Sequence, residues 1–172
     1  DGAELMIAVT ETGEFQVNTY VNGDQMYPEV AGYGRSNFVV TWYDEDRDSG
    51  DIYAQNFNIL GDPLGSEYRV NTTTYNTQGN PSVTTLEDDS YVITWHSRYQ
   101  DTGSSDYGVY GQHYSAAGEP QGDEFHINTT TSGQQYYPSI ASLDDGGFVV
   151  TWRDDNGAAD SREGSGIDVF GQ

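Results

Sequence analysis

The chain's most chemically suggestive stretch is an acidic loop, Asp44-Glu45-Asp46-Arg47-Asp48-Ser49-Gly50-Asp51. Calcium takes about six to eight oxygen ligands, and alternating carboxylates on a tightly turning backbone can supply them. Asp44, Asp46, Asp48 and Asp51 are therefore the candidate metal ligands, with Ca²⁺ as the candidate cofactor. The fit is imperfect. Gly50 comes one place late for a standard calcium loop, and no Glu stands at its twelfth position. A solvated loop in which Arg47 offsets charge is the competing reading. Related loops carry Asp154, Asp155, Asn156, Gly157 and Asp160, or only Asp101 and Asp106.

Two further patterns could be modified or could react. Asn71-Thr72-Thr73 and Asn128-Thr129-Thr130 are N-glycosylation sequons, so Asn71 and Asn128 are candidate attachment points. In a bacterial protein both are expected to stay bare. His96, His113 and His126 sit in different elements, without metal-ligand spacing. A glycosidase needs two facing carboxylates with separated pKa values. The acidic pairs Asp88-Asp89 and Asp144-Asp145 read instead as turn residues. No Ser-His-Asp arrangement and no glycine-rich phosphate loop is legible, so the expectation is that the chain is not an enzyme.

Charge narrows the partners. The formal net charge is −22, and all six basic residues are arginine. Nucleic-acid binding needs cations to neutralise phosphates, so this chain should repel DNA, RNA and anionic membranes. The absence of cysteine excludes disulfides and thiolate metal sites. No apolar run is long enough to cross a membrane as a helix.

The elements that must position these residues are strands. One stretch occurs three times, as Phe38-Val39-Val40-Thr41-Trp42, Tyr91-Val92-Ile93-Thr94-Trp95 and Phe148-Val149-Val150-Thr151-Trp152. Its aromatic and β-branched composition predicts a strand. Alternate side chains share a face, and both faces carry apolar mass, so the strand should lie inside a sheet. Around it the repeat is about 55 residues long. A unit opens with Phe15-Gln16-Val17-Asn18-Thr19, Tyr68-Arg69-Val70-Asn71-Thr72 or Phe125-His126-Ile127-Asn128-Thr129. A turn holding Gln25, Gln78 or Gln135 follows, then a proline-led strand from Pro28, Pro81 or Pro138, then the core strand. A last strand comes from Ile52–Phe57, Val109–Tyr114 or Val169–Gln172. The expected fold is all-β: three four-stranded antiparallel units, each like a propeller blade. Units 14–67, 68–124 and 125–172 follow an N-terminal segment, 1–13, and the third unit stops partway through its last strand.

The ends suggest assembly. Leu5-Met6-Ile7-Ala8-Val9 is the most continuously apolar run and has no counterpart in the repeats. It could close the third unit within its own chain, or enter a neighbouring copy. A head-to-tail contact of the second kind repeats into a filament. The expected interface is Leu5, Met6, Ile7, Ala8 and Val9 against Val169, Phe170 and Gln172.

The pattern Phe125-x-Ile127-Asn128-Thr129, Gln135, Pro138-Ser139-Ile140, Asp145-Gly146-Gly147-Phe148-Val149-Val150-Thr151-Trp152, with Val109-Tyr110-Gly111-Gln112, resembles a tandem repeat of large bacterial secreted and cell-surface proteins. The resemblance covers the chain from about Glu14 onward. It implies an extracellular setting and an adhesive or structural role. Many such proteins also carry calcium-binding nonapeptide repeats, but the Gly-Gly-x-Gly-x-Asp motif is absent here. The leading expectation is a subunit of an extracellular filament whose partners are copies of itself. The alternative is a calcium-assisted adhesin or a carbohydrate-binding module that meets surface glycans.

Overall fold

The computed structural model describes residues 13–47, 49–100, 107–155 and 167–172. Among these the regular structure is entirely β. In chain order the strands are β1 (Gln25–Tyr33), β2 (Asn37–Asp44), β3 (Asp51–Asn58), β4 (Tyr68–Arg69), β5 (Gln78–Thr85), β6 (Tyr91–Arg98), β7 (Tyr107–Tyr114), β8 (Phe125–His126), β9 (Gln134–Ser142), β10 (Phe148–Asp155) and β11 (Ile167–Gly171). They form three antiparallel sheets, ordered β1-β2-β3-β4, β5-β6-β7-β8 and β9-β10-β11. The all-β expectation holds, with three strands rather than four in the third sheet among the described residues.

The repeated core strand is β2, β6 and β10, and each pairs on both sides. In β2 and β6 its two apolar faces serve two different cores, and β10 feeds one. Val39, Tyr43, Ile52 and Ala54 of the first sheet join Tyr91, Ile93 and Trp95 of the second. The other face of the second sheet gives Val92 and Val109, which join Ile140, Val150 and Trp152 of the third. A third cluster holds Val40, Trp42, Tyr53 and Phe57, with Val17 and Phe38 packed against it. All three tryptophans are buried. Truncating a buried Trp costs about 3–5 kcal/mol, so these residues hold sheets together and offer no face to a ligand.

The acidic turn pairs do turn work. Leu86 N donates to Ser90 O, and Asp88 Oδ1 accepts from Ser90 N at 3.1 Å. Leu143 N donates to Gly147 O in the same way, and Asp145 Oδ1 accepts from Gly147 N. The hydrogen bonds from Ser90 hold the Asp88 carboxyl below its usual range.

The sheets are out of phase with the sequence repeat. Tyr68–Arg69, which opens the second sequence unit, is β4 and pairs with β3 of the first sheet. Phe125–His126, which opens the third, is β8 and pairs with β7 of the second. Each opening strand therefore closes the preceding sheet. Ile127 N and Val70 N continue this pairing, donating at 2.8 Å to Val109 O and Ile52 O.

An asparagine fixes each crossing between sheets. Asn71 Oδ1 accepts from Ile52 N at 2.7 Å, and Asn128 Oδ1 accepts from Val109 N at 2.6 Å. Their Nδ2 groups donate to Thr73 O and Thr130 O, two residues on. Asn71 Nδ2 also donates to Asp51 Oδ1 at 2.7 Å. Both asparagines are only 2 % exposed. This corrects their reading as glycosylation points: the nitrogen that would carry sugar is buried and already donating. The glutamines finish the job. Gln78 Nε2 donates to Tyr75 O and Asn76 O, and Gln135 Nε2 to Ser132 O, closing the loops that they end.

Replacing Asn71 with Ala leaves the buried Ile52 amide without its acceptor. We expect Asn71→Ala to lower stability by about 2–4 kcal/mol, read as a shift of the urea midpoint. An unchanged midpoint would show that the clamp is ornamental.

Candidate functional site

The first strand of every sheet carries the same irregularity. Register shifts fall between Met26 and Glu29, between Gly79 and Ser82, and opposite Thr151–Arg153, where Tyr136 pairs with Arg153 and Ser139 with Thr151. At each bulge one non-glycine residue sits at positive φ just before the proline: Tyr27 at 54°, Asn80 at 48° and Tyr137 at 56°. Such a conformation costs on the order of 1–3 kcal/mol and gathers at functional sites. Bulges also re-aim side chains. Here they turn Tyr27 and Tyr137 outward, each about half exposed.

Between the second and third sheets the bulges border a cleft of about 410 Å³. Asn80, His96, Tyr107, Gln134, Tyr136, Tyr137 and Arg153 line it. His96 is its buried floor. The imidazole has room because Gly79 lies directly opposite on β5; a Cβ there would come within 2.7 Å of His96 Nε2. The matching positions are Met26 opposite Tyr43 and Tyr136 opposite Arg153, so only the second sheet makes this space. Tyr107 and Tyr137 meet the His96 ring edge-on, with centroids at 4.9 and 5.9 Å. Arg153 lies over the Tyr136 ring at 4.8 Å. Tyr136 and Tyr137 are perpendicular, 4.9 Å apart.

Two buried donor or acceptor atoms of this cleft have no hydrogen-bond partner among the described residues: His96 Nδ1 and Arg153 Nε. An unmet polar atom in a buried place costs about 1–3 kcal/mol. Burial depresses the His96 pKa from 6.5 to about 4, so the ring is neutral at physiological pH. A larger cavity, about 610 Å³, lies between the outer parts of the first and second sheets. Its polar groups already satisfy one another. Tyr68 and Tyr91 share a hydrogen bond of 2.6 Å, Asn56 Nδ2 donates to Tyr91 Oη at 3.1 Å, and Tyr114 Oη donates to Val70 O at 3.2 Å. That cavity reads as part of the sheet packing.

The candidate metal ligands do not gather. Asp44 and Asp51 are cross-strand partners on β2 and β3, both fully buried. Arg47 Nη1 stands 3.9 Å from Asp44, and Arg69 Nη1 stands 3.7 Å from Asp51. Burial raises the Asp44 pKa, with Arg47 acting the other way. Asp46 turns aside to accept from Asp24 N. Arg47 also pairs with Glu67 and lies 3.7 Å from the Tyr53 centroid. Asp48 lies outside the described residues. Among those described, no three acidic or histidine side chains form a group able to hold a metal ion. Arginines, which the loop reading counted only as an offset, are what face these carboxylates.

Of the expected interface, Leu5, Met6, Ile7, Ala8 and Val9 lie outside the described residues. Val169 and Phe170 are on β11, where Val169 is exposed and Phe170 stacks on Trp152 at 6.5 Å. Gln172 exchanges both backbone hydrogen bonds with Val150. The cleft itself escaped sequence reasoning, which saw His96 only as a poor metal ligand. The available signals were Gly79 across from it and the adjacent Tyr136-Tyr137 pair.

No family model matches the sequence, and no curated protein matches it. Solved structures do share the fold. One is a protein of unknown function from Dyadobacter fermentans, with a TM-score of 0.57 and 8% identity over 77% of this chain and 47% of that one. A second is the endo-arabinase of Bacteroides thetaiotaomicron, at 0.54 and 12% identity over 84% of this chain and 55% of that one. A third is the GH93 α-L-arabinofuranosidase of Fusarium graminearum in complex with arabinobiose, at 0.51 and 17% over 83% and 44%. The chain thus spans about half the length of these structures. At such identities the likeness is one of fold. It corrects the expectation that the chain is not an enzyme: this arrangement of sheets is one that sugar-cleaving enzymes use.

The His96 environment has a pH signature. Between pH about 6.5 and about 4 the unfolded chain takes up a proton that the folded ring refuses. The stability held by neutral His96 is whole above that window and is lost as pH falls through it. From pH 7 to 5 this loss should be about 2 kcal/mol, and His96→Gln should remove it. Equal losses in the two proteins, measured by urea unfolding, would place His96 in solvent instead.

Proposed function

We propose that the chain binds glycans in the cleft between its second and third sheets. The observation that carries this reading is the pairing of exposed and edge-on tyrosines with unmet polar atoms at His96 and Arg153. A sugar ring has an apolar face and a rim of hydroxyls. The outward Tyr137 ring offers a surface for the first. Arg153 Nε is a donor for the second, and the neutral His96 ring can donate or accept according to its tautomer. The fold shared with an endo-arabinase and an α-L-arabinofuranosidase supports a hydroxyl-rich saccharide as the class of ligand. In this reading the three sheets are blades of a propeller-like frame, working outside the cell as its bacterial repeat pattern implies.

Tyr137 is the residue to remove first, because it is 54 % exposed and its loss should spare the fold. Titration calorimetry against neutral oligosaccharides, including arabino-oligosaccharides, should give binding that Tyr137→Ala weakens about tenfold or more. Arg153→Gln should weaken it to a similar degree. Binding that neither change affects, or no binding at millimolar sugar, overturns the proposal.

A further inference from the structure

The aromatic lining of the cleft does not end at the second sheet. It is carried by strands that repeat, and each repeat supplies one residue at the same special place. Tyr27, Asn80 and Tyr137 stand just before the proline, at the bulge, with φ of 54°, 48° and 56°. A bulge re-aims its side chain, so the three point away from their ladders at corresponding places. The strands that bear them are neighbours. Ile140 N and Ser142 N of β9 donate to Ser82 Oγ and Thr84 Oγ1 of β5, at 3.3 and 3.1 Å. Met26 and Ala31 of β1 pack against the core that holds Val83 of β5.

One ring joins the two sheet boundaries. Tyr107, at the start of β7, meets Tyr136 of the third sheet edge-on, with centroids 6.3 Å apart. Toward the first sheet it neighbours Tyr43. Burial raises the Tyr43 pKa, and Glu45, Tyr107 and Tyr27 add to that rise. Tyr43 in turn lies 6.3 Å from Tyr27. Gly50 gives the Tyr43 hydroxyl its room, since a Cβ there would come within 2.5 Å of it. Gly50 and Tyr107 hold equivalent positions, each just before the strand partner of Asp44 or Ser97. The first sheet thus leaves space where the second places a ring. The rings run without a break from Tyr137 through Tyr136, Tyr107 and Tyr43 to Tyr27.

We infer that the ligand of the cleft is a linear, neutral oligosaccharide of several units, lying from Tyr137 across Asn80 to Tyr27. The inference rests on the glycan reading and specifies it. Tyr27 and Tyr137 belong to sheets with the whole second sheet between them, so a single sugar ring cannot touch both. The order aromatic, amide, aromatic suits a chain. The two tyrosines offer surfaces to apolar sugar faces, and the Asn80 side chain offers a donor and an acceptor to hydroxyls between them. Charge selects a neutral chain over an acidic one. The protein carries −22, and Glu45 stands beside Tyr43 at the Tyr27 end.

Chain length is the readout. The full chain is titrated calorimetrically with linear arabino- and cello-oligosaccharides, from disaccharide to hexasaccharide. In at least one series the hexasaccharide should bind about tenfold or more tighter than the disaccharide. Tyr27→Asn installs the residue that the second sheet carries at the same φ, so the backbone keeps its conformation. It should shrink that ratio to about twofold or less. Equal affinity at all lengths, or a ratio that Tyr27→Asn leaves untouched, overturns the inference and confines the ligand to the cleft. No binding at any length overturns the glycan reading and this inference with it. The ratio in the unmodified protein needs no variant, and circular dichroism shows that Tyr27→Asn is folded.

Discussion

One buried side-chain amide holds the sheets in sequence. At Asn71 and at Asn128 the oxygen takes the amide of the preceding sheet's third strand, while the nitrogen caps the turn into the next sheet. A backbone group inside the protein must find a partner, and here that partner is supplied by the following repeat. No sheet is therefore complete until the next repeat has arrived. The clamp also sets the phase. Because the asparagine follows the short strands β4 and β8, those strands are fixed as outer strands of the sheet behind them.

With the phase fixed, the cores follow. The Phe/Tyr-Val-Val/Ile-Thr-Trp strand lies inside its sheet and feeds a core on each side, so a mid-array sheet has no spare face. Specialisation is left to positions that packing does not dictate. The residue after each tryptophan is such a position: Tyr43, His96 and Arg153 occupy it in turn. Its cross-strand neighbour decides how much space it has. Gly79 opens a gap beneath His96, whereas Tyr136 fills the same place in the third sheet and carries Arg153 on its ring. The cleft is thus a difference between repeats, built on a frame that the repeats have in common.

Much of the frame was legible in the sequence. Alternation and β-branched composition located the strands, the tryptophans marked the cores, and the acidic pairs were turns. The phase was not legible, because Tyr68–Arg69 pairs backward with Tyr53 and Ala54, and local pattern does not record a partner. The structural role of the sequon asparagines was hidden for a related reason. Asn-Thr-Thr reads as an exposed acceptor until the asparagine's two hydrogen-bonding ends are found inside. In the acidic loop Arg47 was legible as an offset to the charge, but not that Arg69, from β4, stands beside Asp51, because that pairing joins two repeats. The cleft was hidden because its lining comes from two neighbouring repeats, with Gly79 and His96 on one side and Tyr137 and Arg153 on the other.

The offset between repeat and sheet bears on how such an array grows. Duplicating one repeat delivers a single strand to the sheet already present and three strands to a new one. The old terminal edge is sealed in the same event that creates a fresh edge of identical shape. Length can then change by whole repeats without any compensating substitution at the join. An array of this kind carries its own rule for extension, written in one asparagine per repeat.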